Sequence, residues 1–333
     1  MHKLEGGELG MNYRRFGRTG WNVSEIGYGM WGMAGWSGSR DDESIESLQK
    51  AVGRGCNFFD TAWAYGEGHS EHLLGELVRA NEGTRIYTAT KIPPKNRKWP
   101  ASEGLTLDES YPADHIEEYV QKSLKNSGLG SFDLIQFHTW RDEWMDEGEP
   151  FAKLEELKKA GLLNAIGLSL NRWEPWNGIR AVNSGKVDSV QVIYNIFDQN
   201  PEDELFPACK AHDTAVIARV PFDEGSLTGT LTRNSKWPDG DWRNNYFVQE
   251  NLNETLDRVE KLKELLPPGM TLAELALRFI LSNDTVSTTI PGMRKVRNVE
   301  ANTATSDAGP LKKELLEKLK AFRWVRKPKP WSD

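Results

Sequence analysis

Residues 56–92 read CNFFDTAWAYGEGHSEHLLGELVRANEGTRIYTATKI, and the order of elements within them decides the fold. Phe58–Thr61 is a short apolar run of strand character, Ser70–Ala80 is an amphipathic helical stretch, and Arg85–Ile92 is strand-like again. A strand, a helix and a strand in that order form a crossover unit, which joins parallel strands.

The same alternation extends in both directions. Upstream, Ser24–Gly29 reads as a strand and Asp41–Arg54 as a helix. Downstream come helix Ala113–Lys125, strand Phe132–His138, helix Pro150–Ala160, strand Leu163–Leu170, helix Glu174–Asn183, strand Val190–Asn195 and helix Glu204–Ala211. The series closes with strand Ala215–Pro221, helices Glu250–Leu265 and Leu272–Leu281, strand Val286–Pro291 and helix Asn298–Thr303. About eight strand–helix repeats is the count of a closed (β/α)₈ TIM barrel of class α/β, with an open, doubly wound sheet as the structural alternative. Ahead of the repeats, Tyr13–Phe16 and Asn22–Val23 flank Gly17-Arg18-Thr19-Gly20, a β-hairpin signal that places a plug at the barrel bottom.

No Ser/Gly linker divides the 333 residues, so the reading is one domain, with residues 1–10 as a flexible leader and 322–333 as a tail. Two βα loops are long, Pro93–Pro112 and Phe222–Gln249, and long loops inside compact domains are usually lids or binding loops. The net charge of −7 and the absence of a long basic block argue against nucleic acid as a partner. No apolar run reaches the length of a membrane span, no secretory signal opens the chain, and the two cysteines, Cys56 and Cys209, fit a reducing compartment. Cytoplasm is the expected location; the sequence assigns no oligomeric state.

Four polar residues close three successive predicted strands. Phe58-Phe59-Asp60-Thr61 ends near Asp60 with Tyr65 just beyond, Tyr87-Thr88-Ala89-Thr90-Lys91 ends in Lys91, and Leu134-Ile135-Gln136-Phe137-His138 ends in His138. A barrel brings strand ends to one mouth. Taken singly, each is more often a structural ion pair or a packed polar group; together they suit one reaction. A carbonyl that accepts hydride needs a proton at its oxygen, a Lys beside a Tyr lowers the cost of releasing the phenolic proton, an Asp keeps that Lys charged, and a His orients the carbonyl.

Asp60-Thr61-Ala62-Trp63-Ala64-Tyr65-Gly66 resembles the signature of the aldo-keto reductase family, and Ala89-Thr90-Lys91 and Leu134–His138 resemble its companion motifs in the family's order. The resemblance runs from about Tyr13 to Asn302. It implies the (β/α)₈ fold, carbonyl reduction, NADPH as cofactor and a small carbonyl compound as substrate, with Tyr65 as acid, Lys91 as its pKa modifier, Asp60 as the lysine's partner and His138 as the orienting residue. It further implies Ser169, Asn171 and Gln191 at the nicotinamide carboxamide, and Arg219 where relatives place an aromatic against the nicotinamide. Pro221 and Ser226 fall in the pyrophosphate loop, and Gly292, Arg294, Asn298 and Asn302 around the adenosine 2′-phosphate. Cations at that helix start oppose the helix dipole, which favours a bound anion. The chain departs from the family pattern at Asn298, where relatives carry Arg, so NADH stays as an alternative.

Thirteen tryptophans are many, and Trp31, Trp36, Trp63, Trp140, Trp173 and Trp176 fall at or just after predicted strand ends. Trp31, Trp63 and Trp140 are the expected pocket walls. Gly27-Tyr28-Gly29-Met30-Trp31-Gly32 satisfies the dinucleotide G-x-G-x-x-G pattern, but no helix begins within it, so a Rossmann reading is rejected. His69-Ser70-Glu71-His72 lacks zinc-motif spacing, no metal site is expected, and no serine nucleophile elbow occurs. Two other functions compete: a nucleotide-binding regulatory subunit of the same fold, and a Schiff-base aldolase using Lys91.

Overall fold

The computed structural model describes residues 10–35 and 38–325. Eight parallel strands lie in chain order: β3 (Tyr28–Gly29), β4 (Phe58–Asp60), β5 (Tyr87–Ile92), β6 (Phe132–Phe137), β7 (Leu163–Ser169), β8 (Ser189–Ile193), β9 (Ala215–Arg219) and β10 (Val286–Thr289). Parallel bridges Ile26↔Thr289 and Gly29↔Gly292 join the last strand's edge to the first, which curls the sheet into a barrel and removes the open-sheet alternative. The first strand is shorter than its sequence suggests, because Ser24 belongs to the hairpin; at the seam, a side chain at Gly29 would stand 2.6 Å from the Ile290 carbonyl oxygen.

The hairpin forms as expected from β1 (Tyr13–Phe16) and β2 (Trp21–Ser24), paired antiparallel with Phe16 opposite Trp21. Phe16 and Val23 are fully buried against Phe58, Tyr87, Ala89, Leu134 and Ile217, the inward side chains of the barrel. Phe16 stacks on Phe58 at 5.3 Å and Trp21 on Tyr87 at 5.2 Å, so the N-terminal end of the barrel is filled and only the C-terminal end is left to open. The larger core lies between the outward faces of the strands and the helices around them, among them Asp41–Gly53, His69–Ala80, Ala113–Ser127 and Leu272–Leu281.

Helix boundaries differ most after β7. The helix there spans only Ile179–Asn183, because Asp142 from the β6 loop accepts the backbone N–H groups of Arg180 and Ala181 and so sets its start. A further helix, Lys313–Leu319, follows the last one read from sequence. Both long loops carry structure of their own. Within Pro93–Pro112, Thr106 and Glu109 make a reciprocal capping box on Leu107–Ser110. Phe222–Gln249 supplies Tyr246 and Phe247, which build a small separate core with Leu252 and Leu256 under Trp173, Trp237 and Trp242. No helix among the described residues is long and apolar enough to cross a membrane.

Candidate active site

The mouth of the barrel is organised around a buried ion pair. Lys91, at the end of β5, is fully buried and Asp60, at the end of β4, is 2% exposed; Lys91 Nζ donates to Asp60 Oδ2 at 2.5 Å and to the Thr61 carbonyl oxygen at 2.7 Å. The second carboxylate oxygen of Asp60 accepts from Gln136 Nε2 at 3.0 Å and Gln191 Nε2 at 2.9 Å. Both charges are therefore hydrogen-bonded at every side the barrel closes off, the condition under which a buried pair is tolerated. Gln136, an inward polar residue of β6, was passed over in the sequence; its signal was an amide inside an otherwise apolar strand, which needs partners when buried.

Tyr65 stands in the loop after β4, and its hydroxyl lies 3.5 Å from Lys91 Nζ. The loop is held by Ser70, whose hydroxyl engages Thr61 Oγ1 at 2.7 Å and the Met30 carbonyl oxygen at 3.2 Å. The His138 ring meets Tyr65 edge-on with centroids 5.7 Å apart. All four residues predicted for catalysis thus converge.

Their electrostatics follow from burial and mutual charge. Burial raises the Tyr65 phenol above its ordinary range, while Lys91 pulls it back down and Asp60 opposes that pull. Burial alone would lower Lys91, but Asp60 and Tyr65 outweigh it and hold the ammonium above its usual value. Burial, with the positive charges of Lys91 and Arg219, drives His138 well below the imidazole range, so it is neutral. Burial and the neighbouring Arg172 push Arg219 down to about 10, still charged at neutral pH.

A family model described as the Aldo/keto reductase family matches residues 25–323. The chain belongs to this family. It is 30% identical over 300 residues to the aldo-keto reductase YhdN of Bacillus subtilis, covering 87% of each chain. It is 28% identical over 304 residues to the NADH-specific methylglyoxal reductase of Escherichia coli, covering 86% of this chain and 91% of that one. The solved holo form of the aldo-keto reductase AKR11C1 from Bacillus halodurans superposes with a TM-score of 0.75 at 26% identity, over 97% of this chain and 100% of that one.

The other expected residues of this family member divide into two groups. Ser169, the last residue of β7, is paired in register with Gln191 in the middle of β8, and Arg219 closes β9 with its guanidinium donating to the Leu170 carbonyl oxygen at 2.9 Å. Pro221 is buried at the start of a strained turn: Val220, Asp223 and Glu224 all have φ between 44° and 56°, an uncommon region for residues with side chains and most costly for a β-branched one. Gly292 and Asn298 are exposed, Arg294 is half-buried, and Asn302 is buried in helix Val296–Ala304.

Three residues lie elsewhere than expected. Asn171 is buried and its amide is committed: Nδ2 donates to the Ala101 carbonyl oxygen at 3.1 Å and to Glu174 at 2.8 Å, and Oδ1 accepts from Thr139 Oγ1. Both amide hydrogens of Asn171 are thus engaged within the protein. Ser226 is fully buried with its hydroxyl donating to Asp223. Trp140 is core and not wall: it is fully buried beside Phe137, Trp144 and Phe151 and donates its indole N–H to Asp142. Trp31 stays 38% exposed, while Trp63 is packed edge-on against Tyr119 with Arg97 over its ring. Trp36 and the expected leader, apart from Gly10, fall outside the described residues.

Arg172 is a second residue the sequence did not single out. It pairs with Glu224 at 2.7 Å and lies over the rings of Trp173, Trp242 and Tyr246. It thereby neutralises the carboxylate in the loop expected to meet pyrophosphate, while Asp223 is occupied by Ser226 and Tyr246.

Proposed function

We propose that this chain is a carbonyl reductase that takes hydride from NADPH and protonates the product alkoxide from Tyr65. The supporting observation is the Asp60–Lys91–Tyr65 chain of contacts with His138 edge-on to Tyr65, all at the one open end of the barrel. Burial keeps Tyr65 protonated and therefore able to donate; Lys91 stabilises the phenolate as the proton leaves; Asp60 keeps Lys91 charged through the cycle. Neutral His138 donates a hydrogen bond to the carbonyl oxygen, so the developing negative charge meets donors already in place.

The residues fit a nicotinamide dinucleotide. His138 Nδ1 and Arg219 Nε are buried nitrogens with no partner among the described residues, and buried polar atoms call for one. Bound there, the reduced dinucleotide supplies the hydride. Ser169 and the side-chain amide oxygen of Gln191 would hold the carboxamide. Arg219 would offer a flat cation beside the ring, and the turn from Pro221 through the Ser226 backbone would receive the pyrophosphate. Gly292, Arg294, Asn298 and Asn302, with Lys295 and Arg297, surround the adenosine end, where the cations favour a 2′-phosphate. One relative is named NADH-specific at 28% identity, so the nucleotide preference rests on these charges and not on overall similarity.

The aldolase reading loses support, because a Schiff-base lysine must shed its proton and Asp60 holds Lys91 charged. The chain is read as one barrel domain, and its two buried, unpaired cysteines suit the cytoplasm. Loss of reduced-nicotinamide absorbance on adding NADPH and an activated aldehyde tests the proposal. Turnover supports it; tight NADPH binding without turnover of any aldehyde or ketone would instead support a nucleotide-sensing subunit.

A further inference from the structure

His138 has aromatic rings on two sides. Tyr65 meets it edge-on at 5.7 Å, and Trp99 from the Pro93–Pro112 loop meets it edge-on at the same 5.7 Å, with an interplanar angle of 74°. Trp99 is 40% exposed, although it sits beside a residue of the catalytic cluster. A carbonyl group held by Tyr65 and His138 therefore has Trp99 within contact of its substituent. The loop that carries this exposed indole is fastened close to it. Two residues further on, the Ala101 backbone is gripped on both sides by the Asn171 side chain, whose Oδ1 accepts from Ala101 N at 3.3 Å while its Nδ2 donates to Ala101 O at 3.1 Å. Thr139, next to His138, accepts from Ala101 N at 2.9 Å, so the loop is fastened to the strand end that carries His138.

We infer that Trp99 is the substrate-facing wall of the mouth, that Asn171 holds it there through Ala101, and that this wall selects carbonyl compounds bearing a flat aromatic substituent over short aliphatic ones. The inference rests on the carbonyl-reductase reading above. Asn171 is on this account a positioning residue, acting on substrate through Trp99. An aromatic pair of this kind shifts affinity by roughly tenfold at most.

The test compares kcat/KM for benzaldehyde and for propanal in the wild type, Trp99→Ala, Trp99→Phe, Asn171→Ala and the double variant Asn171→Ala/Trp99→Ala. Trp99→Ala is expected to lower the benzaldehyde-to-propanal ratio by about tenfold, with the change in KM, and Trp99→Phe to restore most of it. Asn171→Ala should lower the ratio in the wild type and leave it unmoved when Trp99 is already absent. That dependence is one a merely structural role would not show, and melting midpoints identify any variant that fails to fold. An unchanged ratio in Trp99→Ala overturns the wall; an equal effect of Asn171→Ala in both backgrounds overturns its positioning role. If the wild type reduces no aldehyde or ketone, the reductase reading fails, and calorimetric binding of benzaldehyde decides the wall alone. About tenfold weaker binding to Trp99→Ala supports it, and equal binding overturns it.

Discussion

The two sides of the barrel mouth are built by different rules. On the β4–β6 side, Asp60, Lys91 and His138 stand at or immediately after strand ends, and their mutual contacts are set by the registers Asp60↔Ala89 and Lys91↔Gln136. On the β7–β10 side, Ser169, Gln191 and Arg219 also belong to strands, but the polar residues beyond them stand in loops whose conformation depends on other loops. Val220 and Glu224 are held at positive φ, Arg172 crosses to Glu224, and Asn195 donates to the Val220 carbonyl oxygen. Strand ends in a closed barrel have one place to be, whereas loops have as many as their partners allow. The first side is thus suited to chemistry that needs fixed distances, and the second to admitting and holding a large ligand.

Substitutions on the two sides should therefore fail differently. The largest effect belongs to the strand side. Lys91→Met removes the charge that stabilises the Tyr65 phenolate, and kcat should fall by about 100- to 10,000-fold with NADPH affinity nearly kept. Steady-state kinetics beside fluorescence titration of NADPH would show it. On the loop side, Arg294→Ala should weaken NADPH by about 10- to 100-fold, the worth of a charge-assisted contact, with little change for NADH. Equal loss for both nucleotides would remove Arg294 from the phosphate end, and a fall in kcat as large as that of Lys91→Met would erase the distinction between the sides.

A smaller effect concerns pH. His138 is buried neutral with its pKa well below that of an unfolded imidazole near 6.5, so below about pH 6.5 the unfolded chain binds a proton the folded one refuses. Stability contributed by this group is full above that pH and is lost as pH falls toward the folded pKa. His138→Gln should accordingly flatten the decline in denaturant midpoint between about pH 6.5 and 5. An unaltered slope would mean that other groups govern it.

This contrast also explains what could be read from the sequence. Asp60, Tyr65, Lys91 and His138 lie in short segments whose strand pattern is local, and the barrel topology then forces them together. Gln136 lay in plain view in such a segment, but only the contact with Asp60 makes its amide meaningful. What the Asn171 amide reaches could not be read locally, because its partner Ala101 is 70 residues away in the chain. Trp140 illustrates the same point for apolar groups: a tryptophan just beyond a strand can point into the mouth or back under the next helix, and Phe137, Phe151 and Asp142 decide. Pairings between loops leave no periodic trace, so Arg172–Glu224 and Asn171–Ala101 had to be seen in three dimensions.

On the reading proposed above, Tyr65 gives the proton while the rest of the mouth holds the nucleotide. That division is tested most directly by measuring kcat for aldehyde reduction and the NADPH dissociation constant together in Tyr65→Phe. A fall in kcat of about 100-fold or more is expected, with the dissociation constant within about twofold of wild type. Turnover close to wild type, or NADPH affinity lost in step with turnover, would contradict it.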